Sequence, residues 1–299
     1  MLNKKEFSVL NILANSDTHL PQRRIAQKAG ISAGSVNHIL DELRSAGLFD
    51  GSQVTEKGYE ELEPYRVKRA VILAAGFGDR LMPITLNTPK PLIRVNGVRM
   101  IDTMLDALYA KGIHEIYIVR GYLKEQFDQL LYKYPDIHFI DNDDYRETNN
   151  ISSVLRAKDL LSNAYVLEGD LILRNPDLIQ KYEYESNYLG VPVERTDDWC
   201  FTVNSKNIIT GVVVGGMNCY HMYGISYWNE EDGRKLAGHI EEVYLAPGGK
   251  ERFWDLVPLQ YHKNDYTVHI RECSFADIAE IDTFRELTAL DPAYASLLQ

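Results

Sequence analysis

Residues 6–65 repeat apolar positions at helical spacing in three short pieces, FSVLNILAN, PQRRIAQKAG and SAGSVNHILDELRSAG. The following LFDGSQVTEKGYEELEPY reads as a strand and turn leading into a short helix. Gly30 is placed to make the turn between the second and third pieces, Ala26 to let helices approach closely, and Ser32 or Ser35 to cap the third. Glu63-Pro64 stops the last helix, so a boundary is expected near 65–68, dividing the chain into 1–66 and 67–299. From Val67 the periodicity changes. Short apolar runs ending in LAA, EIYIV, IHFID and AYVLEGD alternate with helical stretches at 100–111, 124–133 and 151–161. That alternation implies right-handed crossovers and a mostly parallel sheet flanked by helices, an α/β unit behind a small α+β one. Beyond Pro192 the pattern turns hairpin-like, with CFTVNS and IITGVVVGG before YGISYW. Helices are then expected near 230–243 and 251–262, a strand in YTVHIREC, another at 278–281, and a last helix from Thr283.

Composition narrows the class. No stretch approaches the roughly 18 consecutive apolar residues of a membrane span, and the start MLNKKEFSVL lacks the apolar run of a signal peptide, so the expectation is a cytoplasmic protein without a membrane partner. Cys200, Cys219 and Cys273 are dispersed and read as buried thiols, and the eight histidines include no i, i+4 pair resembling a metal site. Residues 1–68 hold nine Lys/Arg and nine Asp/Glu, so the whole net charge of −11 lies after them. The acidic larger unit is therefore a poor nucleic-acid binder, and any phosphate substrate needs a local cation or Mg²⁺. The stretch RRIAQKAGISAGSVNHILDELRSAGL resembles a winged helix-turn-helix. Its third helix offers His38 and Arg44 but also Asp41 and Glu42 within a neutral unit, which ranks DNA binding behind dimerisation or protein docking.

Candidate chemistry concentrates in LAAGFGDRLMPITLNTPKPL, Leu73 to Leu92, which follows a buried-strand pattern. Gly76 and Gly78 remove side chains where a turn must approach a ligand, the usual mark of phosphate. A dinucleotide fingerprint would need glycine at Leu81, and a P-loop would need Gly-Lys-Ser/Thr; both are absent. What remains is Gly76-x-Gly78-x-Arg80-Leu81-x-Pro83-x-Thr85 followed by Pro89-Lys90-Pro91-Leu92. This resembles the signature of nucleotidyltransferases that join an NTP to a phosphorylated small molecule and release pyrophosphate. The resemblance implies a Rossmann-like nucleotidyltransferase sheet, catalytic Arg80 on the departing pyrophosphate, and catalytic Lys90 bridging the α-phosphate and the attacking phosphate. The backbone of Ala75 to Gly78 would cradle phosphates, and groups near Leu73, Ala74, Ala75, Gly121 and Tyr122 would meet the base. Asp170 and Asp282 stand at apparent strand ends, where ligands bind in open α/β sheets, and together suit one Mg²⁺.

Later stretches, among them GYLKEQFDQL, NDDYRETNNISSVLRAKDLL, TDDWCF, GISYWN and RFWDLV, extend the likeness to the bacterial CTP:phosphocholine cytidylyltransferases over Val67 to Leu290. CTP and phosphocholine are the substrates this implies. The chain departs at Glu168-Gly169-Asp170-Leu171, where that family usually reads Asp-Ala-Asp-Asn. Asp170 stays, while assistance to the metal by Glu168 or Glu280 is left open. A trimethylammonium group has no N–H to donate and is recognised by aromatic faces and nearby negative charge. Trp199, Trp228 and Trp254, with Asp255, are candidates for such a cage; Asn149 and Asn150 either assist it or cap the helix at Ile151. The competing readings are a sugar-1-phosphate nucleotidyltransferase and a DNA-binding regulator that uses the transferase fold as a metabolite sensor.

Overall fold

The computed structural model describes residues 2–16 and 20–298; His19, one of the eight histidines, lies outside them. The chain divides into two compact units, one running to Arg66 and including Tyr182–Tyr184, the other holding Val67–Lys181 and Glu185 onward. In the first unit, α1 (Lys4–Ala14) opens on a capping box of Asn3 and Glu6. α2 (Gln22–Ala29) stops at Gly30, whose φ of 64° is the left-handed conformation glycine adopts at little cost. Ser32, rather than Ser35, caps α3 (Ala33–Ser45), and α4 (Glu56–Leu62) follows. The expected strand after α3 is reduced to a single bridge between Phe49 and Val54. Val9, Leu10, Val36, Leu40 and Leu62 bury the helical stripes against one another, with Tyr182 in the same core. Tyr184 stacks on Tyr65, so three residues from the middle of the sequence belong to this unit.

The second unit holds β1 (Arg69–Ala74), the short hairpin β2 (Arg94–Val95) and β3 (Val98–Arg99), α5 (Met100–Ala110), β4 (Glu115–Arg120) and β5 (Ile137–Asp141). There follow α6 (Ile151–Arg156), β6 (Ala164–Glu168), β7 (Leu171–Leu173), β8 (Asn187–Val203), β9 (Ile209–Trp228), α7 (Glu230–Leu245), β10 (His269–Glu272), β11 (Ile278–Glu280) and α8 (Phe284–Leu290). The main sheet runs β10-β8-β9-β6-β1-β4-β5, parallel except where β9 pairs antiparallel with β6 and β8. β1 lies near its middle. Alternate residues of β1 serve two cores: Ala70, Ile72 and Ala74 meet Ile101, Leu105 and Leu108 of α5, while Val71 and Leu73 face the layer of Leu236 and Ile240 from α7. Period-two alternation on a strand buried on both faces reads as the continuous apolar run seen in the sequence.

Three expected helices differ. Residues 124–132 form successive 3-10 turns, and α6 ends at Arg156 with a separate turn at Lys158–Leu160. The stretch 251–262 supplies only a π-helical turn, Val257–Tyr261, where Pro258 brings no N–H. β9 is also more complex than a hairpin strand. Gly215, at φ 76°, and Gly216 fold it back, so that Cys200 of β8 pairs with Val213 on one side and His221 on the other.

Candidate active site

β1 delivers the chain to the carboxyl end of the sheet, and the glycine segment turns there. Gly78 takes φ 73°, and a Cβ on it would lie 3.1 Å from Thr85 Cγ2 and 3.3 Å from Lys90 Cβ. Conformation and space thus both demand glycine. Thr85 ties the loop back by donating to the Gly78 carbonyl at 3.0 Å. Gly169, after β6, donates its N–H to Leu73 O at 2.8 Å, and a Cβ there would stand 2.8 Å from that same oxygen. The result is a cleft of about 390 Å³ lined by Leu73, Ala74, Ala75, Gly76, Gly78, Arg80 and Lys90, among others.

Lys90 is held by the Pro89–Pro91 segment and donates to Asp170 at 2.8 Å and Asp282 at 2.9 Å. Burial pulls its pKa down, but the two carboxylates outweigh burial and hold the ammonium above its ordinary value, so it is a fixed cation. Arg80 also reaches Asp282, at 2.8 Å, and keeps most of its side chain exposed toward the cleft mouth. Asp170, Glu280 and Asp282 offer oxygens within 4.8 Å of one another. Asp170 Oδ1 is buried without a hydrogen-bond partner. An orphaned carboxylate oxygen in an all-oxygen cluster fits a hard cation such as Mg²⁺, so Glu280 joins the two carboxylates expected from sequence. Burial, then Asp170 and Asp282, push the Glu280 pKa well above the usual carboxylate range. A cation among these groups would relieve that repulsion.

A second cavity of about 390 Å³ shares Arg80, Asn150, Glu168 and Asp170 with the first and is further lined by Asp198, Trp199, Phe253, Asp255, Glu280 and Asp282. Trp199 meets Phe253 edge to face at 5.4 Å. The three-tryptophan cage does not form. Trp228 is fully buried and donates to Ser226 Oγ at 2.9 Å; Trp254 is 1% exposed and donates to Glu168 Oε1 at 3.2 Å. The two indoles pack on each other and on Tyr188, in the core behind the cavity. Only Trp199 of the three lines it, because β8 carries that residue to the rim, whereas Trp228 ends β9 under α7.

Asn150 does not cap α6 through its side chain. It donates to Glu168 at 3.1 Å and accepts from Trp254 N–H at 2.9 Å, joining the two cavities. Asn149 lines the first cleft and donates to Glu251 O. Asp255 accepts from Tyr188, and burial pushes its pKa up to about 6. Burial, then Asp255 and Asp170, raise Glu168 well above its usual range. Gly121 and Tyr122 brace the loop rather than line the cleft: Tyr122 N–H donates to Ala75 O at 3.1 Å, and a Cβ on Gly121 would collide with that oxygen. Sequence reasoning missed Asn142, Tyr145, Ser152 and Ser153, which also line the cleft. Buried Asn142 donates to both serines, at 2.9 and 3.0 Å, and its place immediately after β5 was the available signal.

A glycine loop after the central strand, a lysine with most of its side chain covered and a carboxylate trio at the strand ends define a nucleotidyltransferase. Residues 69–191 match the Nucleotidyl transferase family, and residues 2–49 match Winged helix-turn-helix DNA-binding. The chain is 38% identical to the 2-aminoethylphosphonate cytidylyltransferase of Lancefieldella rimae over 77% of its own length and 94% of the relative's. It is 32% identical to the choline-phosphate cytidylyltransferase of Streptococcus pneumoniae over 75% and 96%. A solved structure of the CTP:phosphocholine cytidylyltransferase from Streptococcus pneumoniae superposes with a TM-score of 0.71 at 32% identity, covering 78% of this chain and all of that one. The chain belongs to the cytidylyltransferase family and carries an amino-terminal winged helix-turn-helix unit.

Proposed function

We propose that this enzyme transfers the cytidylyl group of CTP to a small acceptor with a phosphonate or phosphate at one end and a primary ammonium at the other, with 2-aminoethylphosphonate the first candidate because of the likeness to the Lancefieldella rimae enzyme. The carrying observation is the composition of the second cavity: beside the carboxylates assigned to the metal, Glu168, Asp198 and Asp255 stand around it with a single indole face, Trp199. A primary ammonium donates three hydrogen bonds and is matched by carboxylates; a quaternary one donates none and wants several aromatic faces. The likeness to the Lancefieldella rimae enzyme points the same way. The Trp199–Phe253 pair and the Streptococcus pneumoniae relatives favour phosphocholine as the second reading.

In the reaction an acceptor oxygen attacks the α-phosphorus of CTP in line, the bond to the β-phosphate oxygen breaks, and pyrophosphate leaves with that electron pair. Catalysis of this kind is chiefly positioning and charge neutralisation. Lys90, between the two cavities' carboxylates, would exchange Asp170 or Asp282 for phosphate oxygens as the substrates enter. Arg80 lines both cavities and would hold the departing pyrophosphate. The backbone from Ala75 to Gly78 would bear on the phosphates, and Asn150 would keep Glu168 oriented toward the acceptor. Mg²⁺ held by Asp170, Glu280 and Asp282 would neutralise charge on the phosphate oxygens.

The test is pyrophosphate release with CTP, Mg²⁺ and each of 2-aminoethylphosphonate, phosphoethanolamine, phosphocholine and glucose 1-phosphate. We expect the highest kcat/KM with 2-aminoethylphosphonate. Preference for phosphocholine would transfer the assignment to the second reading, and preference for the sugar phosphate would reject both.

A further inference from the structure

We propose that His239, His262 and Asp265 form a second metal site, suited to a borderline divalent cation of the zinc class. His239 stands on α7, His262 follows the π-helical turn, and Asp265 closes the short turn Lys263–Asp265. The two imidazoles stack with centroids 3.8 Å apart and planes within 6°. One ring nitrogen of each and a carboxylate oxygen of Asp265 lie within 4.8 Å of one another. No sequence spacing announces the cluster, since the histidines are 23 positions apart and meet only through packing of α7 on the turn.

Two imidazoles this close cannot both hold a proton without repulsion. Burial, and then the His262 ring, keep His239 below its ordinary pKa. Histidine binds a metal ion through a ring nitrogen lone pair. His239 Nδ1 lies 2.7 Å from the buried Tyr266 hydroxyl. Metal-binding histidines are typically oriented by such a partner on the other nitrogen, which here leaves Nε2 for the cation. Asp265 lies 3.4 Å from His262 Nδ1, and Glu242 lies 3.7 Å from its Nε2. The charges of two carboxylates, Asp265 and Glu242, balance a dication. Lys235 donates to the Asp265 carbonyl at 3.4 Å, but its charge is paired with Glu231 and Asp232. Because the rings stand parallel, a shared cation requires one of them to tilt out of the stack.

Mixed imidazole and carboxylate donors select zinc-class ions, whereas the all-oxygen trio of Asp170, Glu280 and Asp282 selects harder ones. The two sites are thus chemically separable. A cation at His239 and His262 would clip α7 to the segment whose other end carries Phe253 and Asp255 of the second cavity. That segment is continuous in backbone hydrogen bonds, from Val257 N–H to Trp254 O at 2.9 Å and from His262 N–H to Val257 O at 2.9 Å.

The experiment is calorimetric titration of the full chain with Zn²⁺ in excess Mg²⁺, paralleled by visible absorption on titration with Co²⁺. We expect one equivalent of Zn²⁺ and a Co²⁺ spectrum of nitrogen ligation. Both should be lost in His262→Ala, and Tyr266→Phe should weaken affinity roughly tenfold, the scale of losing an orienting partner. Should His262→Ala misfold by circular dichroism, the exposed Asp265→Asn decides by its weakened binding. Absence of Zn²⁺ binding in the parent, or binding unchanged in the folded variants, overturns the proposal and leaves the stacked rings as packing.

Discussion

At the residue scale, the same residue type does different work according to whether its polar atoms are spent. Lys90 and Asp170 point charge into the cleft, so Lys90→Ala and Asp170→Asn should each lower turnover at least about a hundredfold, the scale of one lost preorganised electrostatic contact. Circular dichroism and melting should show both folded; near-normal turnover would remove that residue from the chemistry. The tryptophans divide similarly. Trp199→Leu removes the one indole lining the second cavity and, under the proposed function, should raise KM for a cationic acceptor by up to about tenfold while KM for CTP holds. Trp228→Leu should instead lower Tm with little change in acceptor KM, because the buried indole and its bond to Ser226 are structural. Asp255 adds a pH signature. Its folded pKa, pushed up to about 6, exceeds the ordinary value of 3.8, so the folded protein binds more protons than the unfolded chain between those values. Its burial therefore costs stability increasingly as pH rises from about 4 through 6. Relative to Asp255→Asn, the parent should lose Tm across that window; parallel curves would show that Asp255 stays ionised in the fold.

At the element scale, the site is made where strand ends meet. Gly169 sits between β6 and β7 with no room for a methyl group, 2.8 Å from Leu73 O and 3.0 Å from Pro91 Cγ. Gly169→Ala must push β6 from β1 or shift the Pro91 segment that holds Lys90. Overpacking of this sort costs about 1–3 kcal/mol. We expect a Tm lower by several degrees together with a reduced kcat/KM for CTP; a variant with parental kinetics would mean that the loop moves freely. This level also explains what the sequence made legible. The glycine segment, Lys90, Asp170 and Asp282 were readable because short loops after apolar strands fix where their residues fall. Glu280 and Asp198 were harder: β11 pairs with β7 outside the main sheet, and Asp198 rides a strand paired on both sides by a folded β9. Those pairings are long-range and leave no local periodicity. The helix expected over 251–262 failed likewise, since its apolar spacing matches a helix while Pro258 and the inward turn of Trp254 and Asp255 break it.

At the scale of the whole molecule, charge is divided between the units, and the amino-terminal one can be judged by itself. Its family match is to DNA-binding winged helices, yet residues 1–68 carry no net charge. On α3 the candidate contacts are already paired: His38 lies 3.3 Å from Glu42, and Arg44 lies 3.2 Å from Asp41. A DNA reader presents free cations to phosphates and releases counterions, which makes its affinity fall steeply with salt. A helix whose basic groups are answered by acids one turn away offers little such gain. We therefore expect the full chain to bind duplex DNA no more tightly than about 1 μM at physiological salt, the upper range of non-specific association. Replacing the answering acids, in Asp41→Asn with Glu42→Gln, should strengthen binding and steepen its salt dependence, since Arg44 and His38 then face no acid. Fluorescence anisotropy against the promoter of its own operon and a scrambled duplex, across a salt series, measures both. Nanomolar, salt-sensitive binding to the promoter by the parent chain would show that this helix reads DNA despite its acids, and would reverse the ranking of DNA recognition behind dimerisation or docking.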